Sequence, residues 1–222
     1  MRAVLFDLDG TLVDTAPDLT GSLNDVLALE GLPPIPEDMV RHLVGHGARA
    51  LIEKGLAAHG RTAPMEKLDR LKGQFLEIYE RRLARLSRLF PGAIEVLDML
   101  ENRAVPLGIV TNKPEYLTRL LMGALSLTAR FGVLVGHDTA AKPKPHADPI
   151  LYAAQRLGVP LSGTILVGDS ATDVQAARAA GIPVVLVRHG YTPVPADELG
   201  ADAVVDGFAD LLAALAGVSC AP

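Results

Sequence analysis

The chain has no tryptophan, one cysteine and no excess of basic residues. Each shortage excludes something. A single thiol, Cys220, cannot form an internal disulfide, so the fold must rest on its apolar core. This thiol reads as an inert tail residue, and its isolation is consistent with a reducing, cytoplasmic setting. With 21 Lys and Arg against 26 Asp and Glu, the chain lacks the broad basic field that nonspecific nucleic-acid binding uses. No apolar run approaches the roughly 18 residues of a membrane helix. The opening Met1-Arg2-Ala3-Val4-Leu5-Phe6 meets Asp7 too early for a secretory signal, whose apolar stretch takes about 7–15 residues. It reads as a first strand. At 222 residues and 49% hydrophobic content, the chain can bury a core of its own, and its length admits one domain with an insertion.

What is present is a rhythm. Apolar runs at 3–6, 107–110, 133–135, 164–167, 184–187 and 203–205 are rich in Val, Leu and Ile and do not alternate with polar residues. Such runs suit a parallel sheet buried on both faces. Helical stretches at 93–102, 116–125, 149–157 and 171–180 separate them. The pattern predicts an α/β fold, a doubly wound parallel sheet with a Rossmann-like core. About 100 residues separate the first two runs, and they read as helices at 18–30, 37–43, 48–59 and 65–89 with no strand among them. A plain crossover needs only about a dozen residues. The surplus predicts a helical cap domain at 16–83, inserted into a core formed by 1–15 and 84–222. Arg81, Arg82, Arg85 and Arg88 read as a solvated helix face, with Glu77 placed to pair with Arg81.

Four motifs carry the chemistry. Asp7-Leu8-Asp9-Gly10-Thr11 follows the first strand. Two carboxylates two residues apart repel unless a cation lies between them, and oxygen donors without Cys or His favour Mg²⁺. A hairpin turn at Asp9-Gly10 is the plain alternative, but a helix follows instead of a partner strand. Thr111-Asn112-Lys113 ends the next strand, where Thr111 offers either a hydroxyl to the same crevice or a helix cap. Lys142-Pro143-Lys144-Pro145-His146-Ala147-Asp148-Pro149 pins a lysine near a helix start, and spacing alone does not choose between Lys142 and Lys144. Finally, Gly168-Asp169-Ser170-Ala171-Thr172-Asp173 puts Asp169 at another strand end, while Asp173 also fits a capping box with Ser170.

Together these motifs resemble the haloacid dehalogenase-like hydrolases, specifically their phosphatases with a cap after the first strand. The resemblance spans essentially the whole chain. It implies Asp7 as the nucleophile that becomes an aspartyl-phosphate, and Asp9 as general acid and base. It implies a Mg²⁺ site made by Asp7, Asp9 through its backbone carbonyl, and Asp169, oriented by Asp173. It implies Thr111, Asn112 and Lys144 as phosphate contacts. Lys144 fits the family's Lys-Pro-His-x-Asp-Pro wording better than Lys142, although Ala147 stands where proline is usual. Within the superfamily, the stretch from Leu43 through Gly45, His46, Gly47 and Arg49 to Ile52 is similar to the cap signature of phosphoglycolate phosphatases, which implies a small phosphorylated metabolite, 2-phosphoglycolate. Gly45 and Gly47 would open backbone amides to a carboxylate, with Arg41, His46 or Arg49 adding positive charge. The other histidines, His189 among them, read as surface or loop residues. A monomer or homodimer is expected.

Other capped phosphatases, acting on sugar phosphates such as N-acetylmuramate 6-phosphate or on pyrophosphate, share the core motifs. A receiver-type signalling module combines similar acids, Thr and Lys. It carries its phosphoacceptor on a later strand and needs no cap.

Overall fold

The computed structural model describes residues 1–45 and 47–219, so His46 and the Cys220 thiol lie outside it. Strand β1 (Ala3–Phe6) is apolar at every position because both faces are covered. Val4 and Phe6 join one apolar cluster and Leu5 joins another. Strands β4 (Leu107–Val110), β6 (Thr164–Gly168) and β7 (Val184–Val187) divide their side chains in the same way. The missing alternation in the sequence is therefore two buried faces superposed.

With β5 (Val133–Val135) and β8 (Ala203–Val205), these strands form a six-stranded parallel sheet in the order β5-β4-β1-β6-β7-β8. Helices α5 (Ala93–Asn102), α6 (Glu115–Ala124), α7 (Asp148–Leu157), α8 (Ala171–Ala180) and α9 (Phe208–Ser219) flank it. The chain builds outward from β1 on both sides. The crevice at a topological switch point therefore opens at the carboxyl ends of β4, β1 and β6. Among the described residues, no helix is long and apolar enough to cross a membrane.

The long interval differs from the sequence expectation in two places. It holds helices α1 (Ala16–Leu29), α2 (Glu37–Arg41), α3 (Ala48–Ala57) and α4 (Met65–Arg82), bracketed by two short strands, β2 (Val13–Asp14) and β3 (Arg88–Leu89). These pair antiparallel, Val13 with Leu89 and Asp14 with Arg88. Two-residue strands carry no periodicity to read. Helix α4 stops at Arg82 and does not run on to 89, because Leu83 turns extended and Ala84 adopts a positive φ of 62°. A glycine would have marked that left-handed turn in the sequence; an alanine hides it. The expected pairing of Glu77 with Arg81 is absent among the described residues. Arg82 instead pairs with Asp25 of α1 at 2.6 Å.

The four helices share an apolar cluster of their own, from Leu23, Leu27, Ile52, Leu71, Phe75 and Tyr79, which reaches the sheet-bearing part through Leu117 of α6. Asp18 in α1 fastens the two crossing segments together. Its carboxylate accepts the backbone N–H groups of Leu86 (3.1 Å) and Ser87 (2.9 Å) and the Ser87 hydroxyl (2.6 Å).

Candidate active site

The first motif leaves β1 in extended backbone, with the Asp7 N–H donating to Val167 at 2.8 Å, and then turns tightly. Gly10 makes the turn at φ 84°, and a Cβ there would meet Asp169 Oδ2 at 2.6 Å. Gly190 is as constrained, since its Cβ would lie 2.1 Å from that of Asp169. Two backbone segments thus press against one carboxylate. They also hold it: Thr11 Oγ1 donates to Asp169 Oδ1 at 2.9 Å and the Tyr191 N–H to Oδ2 at 2.7 Å.

Lys144 joins the motifs. Its ammonium lies 3.0 Å from Asp7 Oδ1 and 2.6 Å from Asp173 Oδ1, and it is 4% exposed. Lys142 is exposed. The choice that spacing left open therefore goes to Lys144. Asp173 forms the capping box its position allowed and also an ion pair that the sequence did not show. Its Oδ2 closes a capping box with the Ser170 N–H and hydroxyl, and its Oδ1 meets Lys144. Thr111 is buried at the end of β4, its hydroxyl accepting the Lys113 N–H at 3.2 Å. Asn112 spans two loops, donating its amide to the carbonyls of Gly45 and Lys144, both at 3.1 Å.

Carboxylate oxygens of Asp7, Asp169 and Asp173, all buried, lie within 4.8 Å of one another. Burial pushes the Asp7 carboxyl up to about 6; Lys144 pulls it down, while Asp173 and Asp9 push it further up. Burial, Asp173 and Asp7 raise Asp169 well above the usual carboxylate range. Burial alone would lower Lys144, but Asp173 and Asp7 outweigh it and keep the ammonium charged. One lysine does not balance three carboxylates. An all-oxygen set with surplus negative charge fits a hard divalent cation.

Asp9 stands apart from this group. Lys113 Nζ donates to both of its oxygens at 2.9 Å, and Thr15 Oγ1 donates to Oδ1 at 2.7 Å. Lys113 was not singled out as a site residue from the sequence, where it is only the third letter of Thr-Asn-Lys. Tyr191 had no sequence signal at all. Its hydroxyl donates to Asp14 at 2.6 Å and accepts the N–H groups of Thr15 and Ala16 at the start of α1.

Two adjoining cavities, of about 540 and 620 Å³, open onto Asp7 and Asp9 between the helical insertion and the sheet. Gly45 lines both, and Gly47 and Thr111 line the first. The two arginines considered as substrate cations are engaged elsewhere. Arg49 pairs with Asp69 on an exposed face and lines neither cavity. Arg41 grips Asp14 through two nitrogens, at 2.9 and 2.8 Å, and also bonds Glu37. His189 lies in the turn after β7, as a loop histidine, and is half-buried against Phe90, with ring centroids 3.9 Å apart.

A family model described as haloacid dehalogenase-like hydrolase matches residues 4–187, most of the chain. The chain belongs to that family. Among its haloacid dehalogenase-like relatives is a phosphoglycolate phosphatase of Caulobacter vibrioides, 45% identical over 94% of this chain and 88% of that one. A phosphoglycolate phosphatase of Agrobacterium fabrum is 43% identical over 95% and 91%. The crystal structure of CbbY from Rhodobacter sphaeroides in complex with phosphate superposes with a TM-score of 0.81 at 26% identity, covering 97% of this chain and 99% of that one.

Proposed function

We propose that this member of the family is a Mg²⁺-dependent phosphomonoester hydrolase that converts 2-phosphoglycolate to glycolate and phosphate. The observation that carries the reading is the buried Asp7 carboxylate, 3.0 Å from Lys144 and grouped with Asp169 and Asp173, with Asp9 two residues on. The identity of 41–45% to curated phosphoglycolate phosphatases supports the substrate.

In this reading Asp7 attacks phosphorus, forming an aspartyl-phosphate as the bond to the leaving oxygen breaks. Asp9 passes a proton to that oxygen, releasing glycolate. Asp9 then takes a proton from water, whose oxygen attacks phosphorus, and the bond to Asp7 breaks to free phosphate and the carboxylate. Thr111, Asn112 and Lys144 hold the phosphoryl oxygens, and the Lys144 charge screens the approach of one anion to another. Asp7 and Asp169, with the backbone carbonyl of Asp9, would hold Mg²⁺, and Asp173 orients them through Lys144 and the capping box. When bound, the ion supplies charge neutralisation at the phosphoryl group. Residues 16–83 act as the cap, over a core of 1–15 and 84–222, and Gly45 and Gly47 face the leaving group. The enzyme works in the cytoplasm as a monomer or homodimer, a setting that its single cysteine supports.

The test is direct. Asp7→Asn keeps the shape and removes the nucleophile, so turnover of 2-phosphoglycolate falls at least 1,000-fold, on the order expected for loss of a covalent nucleophile. A folded variant that retains a few per cent of activity refutes the assignment.

A further inference from the structure

We propose that Lys54 is the residue that binds the carboxylate end of the substrate and thereby sets specificity; this rests on the reading of 2-phosphoglycolate given above. A substrate with an anion at each end needs positive charge at two places. The phosphate end has Lys144. For the other end, most cations near the cleft are already committed: Arg41 to Asp14 and Glu37, Arg49 to Asp69, and Lys113 to both oxygens of Asp9.

Lys54 differs. It lies in the last turn of α3, half-buried, and its ammonium has no ion pair or hydrogen bond among the described residues. It lines the larger cavity together with His42, Val44 and Gly45 of the helical insertion, while Asp7, Asp9, Asp169 and Ser170 line it from the sheet. Of the lysines and arginines lining the two cavities, Lys113 and Lys54, it alone is unpaired. Its ammonium is not among the buried unpartnered polar atoms, so it is open to the cleft and free to meet an incoming anion. The acids of the catalytic cluster do not serve, since none lies within ion-pair distance of it. The cleft therefore has a cation on its helical wall and a phosphate seat on its sheet wall, a layout that matches a phosphate joined to a carboxylate. A competing role also exists: a lysine in the last turn of a helix stabilises the helix C-terminus. That role affects stability and is blind to the substrate.

The experiment compares kcat/KM for 2-phosphoglycolate and for ethyl phosphate, which lacks the carboxylate, in the full-length Mg²⁺-loaded enzyme. In Lys54→Gln the ratio of the two falls about 10–100-fold, the range for losing one charged hydrogen bond. Lys54→Arg restores part of it, and Arg61→Gln, on an exposed loop, leaves it unchanged. Should Lys54→Gln fail to fold, Lys54→Met, which keeps the apolar stem, gives the same readout. A ratio that stays at the wild-type value, whether both rates fall together or neither falls, overturns the proposal alone. A wild-type enzyme with no preference for 2-phosphoglycolate over ethyl phosphate overturns the substrate assignment, and this proposal with it.

Discussion

Lys113 grips both oxygens of Asp9 while its ammonium sits 4.6 Å from the centre of the Tyr79 ring. An aspartate clamped this way has one orientation. Burial alone would lower Lys113, but Asp9 and Tyr79 outweigh it and hold its pKa high, so the clamp stays charged. Replacing Lys113 with Met should free Asp9 to rotate. If Asp9 delivers the proton, the loss depends on how much the leaving oxygen needs one. Turnover of ethyl phosphate should fall about 100-fold, the lower end for general acid catalysis, and that of p-nitrophenyl phosphate far less. Equal losses on both substrates would leave Lys113 with only a structural role. At this scale the sequence was uneven. Asp7, Asp9 and Asp169 stand out because acids at strand ends have no cheap structural excuse. Lys142 and Lys144 share one Pro-rich segment, so spacing does not separate them; the family wording favours Lys144, and Lys144 is the one that is buried.

Among the elements, the parallel strands were readable because burial on both faces leaves continuous apolar runs. The β2–β3 ribbon was not, being two residues long on each side. The ribbon depends on Asp18, which gathers the donors of Leu86 and Ser87. Asp18→Ala leaves the buried Ser87 N–H and hydroxyl without an acceptor, at a cost of about 2–3 kcal/mol. For a chain of this size the midpoint of thermal unfolding should drop by about 5–10 °C. Calorimetry checks this, and a drop under 1 °C would mean that water replaces the carboxylate at no cost.

Across the whole molecule, Asp7, Thr111 and Asp169 come together because β4, β1 and β6 lie side by side and end together, and the connection after the neighbouring β5 brings Lys144 to Asp7. That convergence followed from the order of motifs, whereas the pairing of Tyr191 with the start of α1 depends on a loop conformation that no local pattern encodes. Three buried carboxylates lie close together and only two of them, Asp7 and Asp173, pair with Lys144, so negative charge is left unbalanced in the fold. Mg²⁺ at about 100 times its dissociation constant should stabilise the fold by about 2.7 kcal/mol and raise its melting temperature by about 5–10 °C. Excess chelator should abolish both that gain and turnover, and a melting curve indifferent to Mg²⁺ would rule out the site. The β2–β3 ribbon has one more consequence. The helical insertion enters and leaves through a single doorway four residues wide, so another bundle could be spliced in there without rethreading the sheet. The graft would have to rebuild the contacts that tie the insertion to the cleft, Lys113 over Tyr79 and Asn112 to the Gly45 carbonyl.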